Sequence, residues 1–178
     1  MNFDRFKEID KEILEILGLA LDKVRMKSMS DFTLLLARGD FYEVIYTHAH
    51  DLSPYVIEDP TDELVDDTRI SFLNQFMKRY IERLRSGSII NDKELEYDIN
   101  IQLMVYTHVW ESHWLLKQLE RIASILSGKG YVWKSCVDSC SKSNFIKDHI
   151  LKQLEGHSNL YDLIGRIYSD TLRNDFAH

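Results

Sequence analysis

Residues 91–126 read NDKELEYDINIQLMVYTHVWESHWLLKQLERIASIL, and this stretch decides the fold. Leu95, Ile99, Leu103, Tyr106, Trp110 and Trp114 recur every three or four residues, and further apolar positions continue the pattern to Leu126. That is the period of an α-helix with one apolar face. Asn91 with Glu94 three positions on has capping-box spacing, Asn standing where Ser or Thr is usual, so the helix is expected to begin there. Gly128 and Gly130 stop it. At 1.5 Å per residue it would be on the order of 50 Å long, well above average, and two abutting pieces are the alternative.

Helical spacing also dominates on either side. Phe6, Ile9, Ile13, Ile16, Leu17, Ala20 and Val24 predict a helix from about residue 4 to 27. Asp31 to Ala37 is a short apolar stretch closed by Arg38 and Gly39, and Phe41 to Ile57 reads as a second helix, bent or broken near Pro54. Asp59 as N-cap, Pro60 at the first helical position and Asp62 start a third helix, which reaches about Arg85 and ends at Ser86 and Gly87. Beyond Gly130, Tyr131 to Trp133 is too short to assign, and Ser143 to Leu154 reads as a fifth helix. Ser158 or Asn159 caps a last one that runs to the chain end. No succession of alternating strands is present. The expected class is therefore all-α, a helical bundle with a long central helix. The expected organisation is one domain over 1–178, in which helices of 1–89 pack on a core of about 90–178.

Composition agrees with this reading. Among 178 residues there are only 7 Gly and 2 Pro, which argues against linkers, collagen-like repeats and turn-rich sandwiches. No apolar run approaches the ~20 residues that span a bilayer, and MNFDRFKEID at the start lacks a signal-peptide core, so a soluble cytoplasmic protein is expected. Cys136 and Cys140 are too few for a disulfide scaffold and read as thiols of a reducing compartment. The net charge of −7 disfavours nucleic-acid binding through overall charge alone, yet it is unevenly spread: residues 1–127 carry −8 and residues 128–178 carry +1. The acidic cluster Glu58, Asp59, Asp62, Glu63, Asp66 and Asp67 and the basic run Lys78, Arg79, Arg83 and Arg85 suit the two ends of the third helix, where the helix dipole favours those signs.

The chain closes on RNDFAH, residues 173–178, after the apolar positions Leu160, Leu163, Ile164, Ile167, Tyr168 and Leu172. Acid–base chemistry at a phosphodiester needs a base for an attacking hydroxyl, a donor for charge building on the phosphoryl oxygens and an acid for the leaving oxygen. His178 suits the first or last task, and Arg173 the second. At ~100° per residue, Arg173 and His178 lie about 140° apart around one helix, while Asn174 and His178 are one turn apart on nearly the same face. Two such helices meeting across a two-fold axis would bring two Arg and two His into one cleft.

An Arg, an Asn and a His five positions after the Arg, late in a helical chain, resemble the motif of the HEPN superfamily (higher eukaryotes and prokaryotes nucleotide-binding). Trp110 and Glu111 followed by Leu115, Leu116 and Leu119 are similar to a helix of some HEPN groups. The resemblance covers about residues 90–178. It implies a homodimeric, metal-independent endoribonuclease of a toxin or phage-defence type acting on RNA, with no cofactor and with an antitoxin or other protein as a possible partner. Arg173 and His178 are then catalytic, with Asn174 in support and Glu111 as a further site residue. One departure accompanies it: in the superfamily the helix usually runs on past the His, and this chain stops there. The alternative readings are a noncatalytic helical module that binds a protein partner or a nucleotide, and an exposed terminus in which Arg173 pairs with Asp170.

Other constellations stay open. His48, His50 and Asp51 could join His108, Glu111 and His113 around a divalent ion if their helices are neighbours, although neither His pair has one-turn spacing. Glu111, if buried among Trp110, Trp114 and Leu115, needs a partner, for which Arg173 is the candidate. A nucleophilic Cys–His pair of Cys136 or Cys140 with His149 or His157 lacks a glycine-rich oxyanion turn.

Overall fold

The computed structural model describes residues 3–37, 41–43, 55–57, 60–87, 92–137 and 140–172. Within them the class is all-α. The helices are α1 (Phe3–Lys27), α2 (Met29–Leu36), α3 (Pro60–Ser86), α4 (Asp92–Glu111), α5 (His113–Ser127), α6 (Lys142–Phe145), α7 (Lys152–Leu154) and α8 (Ser158–Ile167). A π-helical turn, Ile146–Leu151, joins α6 to α7.

The stretch expected as one long helix is two. At Ser112 the backbone is extended (φ −67°, ψ 115°), and its Oγ accepts the Leu115 N–H at 3.2 Å, which makes Ser112 the N-cap of α5. The apolar period runs straight through this break, so spacing alone reads it as continuous. The central helix of the bundle is consequently the 15-residue α5. Leu116, Lys117 and every residue from Leu119 to Leu126 are buried, as befits a helix surrounded on all sides. Helices α1, α2, α3 and α4 and the π-turn pack against it, and α1 also meets α8.

A left-handed Gly128 (φ 88°) ends α5 in a Schellman arrangement, with Gly128 N–H donating to Ile125 O and Lys129 N–H to Ser124 O, each at 3.0 Å. The neighbouring Leu126 carbonyl accepts from Lys27 Nζ at 2.5 Å and from His157 Nε2 at 2.9 Å. Donors and positive charge are favoured at a helix C-terminus. The end of α1 and the start of α8 are thereby tied to the same point of α5.

Two further expectations are corrected, and one unassigned stretch finds its element. The helix expected over Phe41 to Ile57 is instead a short antiparallel pair, β1 (Phe41–Glu43) with β2 (Tyr55–Ile57), Phe41 opposite Ile57; the bend expected at Pro54 lies outside the described residues. Aromatic and β-branched residues at the two ends meet in the pair, a long-range partnership that local helical spacing does not register. The apolar stretch at 31–37 belongs mostly to α2, capped by Ser28, whose Oγ accepts the Asp31 N–H at 3.2 Å. α8 stops at Ile167, where Tyr168 turns extended (φ −97°, ψ 128°), and helix resumes at 170–172, the last of the described residues. The first residue of α8 is Ser158, with His157 in the cap position. No helix among the described residues is long and apolar enough to cross a membrane.

Candidate functional site

Arg173, Asn174 and His178 lie outside the described residues, as do His48, His50 and Asp51. The structure does describe the segment that leads into the motif. Ser169 N–H donates to Tyr106 Oη at 2.6 Å, and Tyr106 Oη–H donates to Ser169 O at 3.2 Å. Two turns of α4 therefore dock the chain at 168–169, because Trp110, itself buried, sets its ring edge-on to that of Tyr168 at 4.9 Å. Backbone groups that would otherwise continue α8 are satisfied by Tyr106, which accounts for the helix ending at Ile167.

Asp170 is held from two sides, by Lys147 on the π-turn and by the Tyr168 hydroxyl. Burial pushes its carboxyl up, but hydrogen bonds from Lys147, Tyr168 and Ser143 and the Lys147 charge outweigh this and hold it down at about 2. Asp170 thus has its cation in Lys147. Glu111, the last residue of α4, is half-buried, and its carbonyl accepts Arg69 Nη1 at 2.8 Å. Its sequence neighbours Trp110 and Tyr106 face the segment that precedes Arg173.

The histidines of α4 and α5 do not converge on a metal-binding group among the described residues. His108 packs on Phe72, centroids 5.4 Å apart, and His113 Nε2 accepts from Lys142 Nζ at 2.8 Å.

A different cluster does converge. Cys136 Sγ lies 3.5 Å from Cys140 Sγ and 3.3 Å from His149 Nε2, with His149 Nδ1 at 3.7 Å. Behind the ring, Glu120 Oε1 is 3.2 Å from His149 Nδ1. Glu120 is only 3% exposed, and its other oxygen, Oε2, is buried with no hydrogen-bond partner. Phe145 stacks on the imidazole at 5.1 Å and 10°, and Gln153 Nε2 donates to the His149 carbonyl at 2.6 Å. The π-turn places His149, and π-turns recur at functional positions. Sequence reasoning paired Cys136 with His149 only as a nucleophile and did not single out Glu120. The available signal was Cys-x3-Cys followed by a His nine residues on. Burial first, then the Cys140 thiol and the Glu120 charge, push the Cys136 thiol up to about 11. A thiol so protonated is a poor nucleophile, so the order Cys136, His149, Glu120 does not make an activated triad.

The chain matches no family model, no curated protein and no solved structure.

Proposed function

We propose that this protein is a HEPN-type endoribonuclease of a toxin or phage-defence setting, working as a homodimer on RNA without a catalytic metal. The observation that carries the reading is the RNDFAH sequence at 173–178, joined directly to a segment that Tyr106 and Trp110 hold against the end of α4. That attachment holds residues 168–169, just before the motif, against the end of α4, and the all-α class is in keeping with the superfamily. In this reading His178 exchanges protons with the 2′-hydroxyl or the leaving oxygen, and Arg173 stabilises the charge that builds on the phosphoryl group. Asn174, one helical turn from His178, orients the imidazole or the phosphate. Use of the 2′-hydroxyl restricts the reaction to RNA and leaves a cyclic phosphate.

The test is incubation of total RNA with the purified protein and with its Arg173→Ala and His178→Ala variants, in buffer free of divalent ions, with analysis of the product ends. Cleavage to cyclic phosphate, lost in both folded variants, establishes the reading. Undiminished cleavage by His178→Ala rules it out. The net charge of −7 favours a second reading, a noncatalytic helical module for a protein partner or nucleotide, which gains if the folded dimer leaves RNA intact and a stable complex is isolated.

A further inference from the structure

We propose that Cys136, Cys140 and His149 form a binding site for a divalent cation of the zinc type, with Glu120 holding the imidazole from behind. This is independent of the ribonuclease reading and concerns a different part of the molecule.

Four observations converge on it. The donor atoms are the soft sulfur and imidazole set that selects zinc over magnesium or calcium, and all three lie within 4.8 Å of one another. Two of the separations are near tetrahedral edges: Zn–S of about 2.3 Å and Zn–N of about 2.0–2.1 Å imply about 3.8 Å between sulfurs and about 3.6 Å between sulfur and nitrogen. The structure has 3.5 Å and 3.3 Å, and since Cys136 Sγ also lies 3.7 Å from Nδ1, the imidazole must turn to aim Nε2 at an ion held between the sulfurs.

The third observation is the contact behind the ring. A metal-ligating histidine commonly donates its other N–H to a carboxylate, which sets the tautomer and strengthens the ligand. Glu120 Oε1 stands at His149 Nδ1 in that role, and Nε2 is the ring nitrogen nearer Cys136 Sγ, at 3.3 Å against 3.7 Å. The fourth is electrostatic. A carboxylate 3% exposed with one oxygen unpartnered is costly, and a dication held by its neighbour offsets that cost.

The site joins two parts of the chain, on either side of α6. Cys136 and Cys140 lie between α5 and α6, and His149 sits on the π-turn packed against α5. One ion would therefore pin that segment to the core, with a fourth tetrahedral position left for water. Binding displaces the two thiol protons to solvent and changes no oxidation state.

The experiment uses the full-length protein, reduced and freed of metal, titrated with Co²⁺ as a spectroscopic probe and then with Zn²⁺. The expected result is one Co²⁺ per chain, with a thiolate-to-cobalt charge-transfer band and the visible bands of tetrahedral cobalt, all displaced by Zn²⁺. Cys136→Ser and Cys140→Ser are each expected to weaken the charge-transfer band, and His149→Gln to weaken binding while the band persists. Because the wild-type titration needs no substitution, a variant that fails to fold does not obscure the answer. No uptake, uptake without a thiolate band, or a Cys136–Cys140 disulfide as the stable form in the presence of zinc and mild reductant would each overturn the proposal.

Discussion

Glu120 on α5 and His149 on the π-turn are joined by a 3.2 Å contact, Oε1 to Nδ1, that engages Nδ1 and leaves Nε2 as the ring nitrogen nearer Cys136 Sγ. Glu120→Gln retains the shape but loses the charge. Metal affinity is expected to fall roughly 10–100-fold, the usual cost of removing such an outer partner. Competition against a chelator of known affinity measures this, and unchanged affinity would deny Glu120 its positioning role.

Tyr106→Phe removes one hydroxyl and two hydrogen bonds at Ser169. The partly buried Ser169 N–H and carbonyl then lose their partner, which costs about 1–3 kcal/mol locally. RNA cleavage is expected to fall with far-ultraviolet circular dichroism unchanged, because the loss frees the segment before Arg173 rather than the core. Equal activity in the variant would show that this attachment does not position the motif.

Acid sensitivity should trace to Asp170. Its carboxyl titrates at about 2 in the fold against an ordinary 3.8, so its contribution is present above about pH 4 and is lost as pH falls towards 2. Lys147 is 55% exposed, so the contribution is discounted to about 1 kcal/mol. Urea unfolding from pH 7 to 2 is expected to show that increment for wild type over Asp170→Asn at neutral pH and none near pH 2.

Gly128→Ala tests the end of the central helix. With φ at 88°, a side chain at this position is strained whatever the space around it, and a cost of about 1–2 kcal/mol is expected. A lower urea midpoint with an unchanged slope would bear this out.

How much was legible in the sequence depended on how local each determinant is. Helices α1 and α3 were readable within a residue or two because apolar spacing, Pro60 at the first helical position and the Ser86–Gly87 stop all act over a single turn. Spacing left one long helix or two abutting pieces open, because Tyr106, Trp110 and Leu116 continue the period across Ser112, and only packing around α5 decides between them. RNDFAH lies outside the described residues, so its proposed chemistry rests on the sequence, on the charge and shape of Arg and the proton affinity of His. Cys136, Cys140 and His149 were visible as residue types at a suggestive spacing, while the carboxylate that completes their surroundings comes from α5, sixteen positions before Cys136.

The sequence by itself determined the all-α class, the extent of the first and third helices and the glycine stop after Leu126, because each follows from the period of the helix and from groups within one turn. Tertiary structure alone decided that α5 and not a long rod is central, that residues 41–43 and 55–57 pair as strands, and that α8 stops at Ile167. It also decided that Glu120, Cys136, Cys140 and His149 meet. The physical reason is the same in each case. These outcomes depend on which distant groups satisfy a backbone or bury a side chain, as Tyr106 does for Ser169, and that choice is made only when the helices pack.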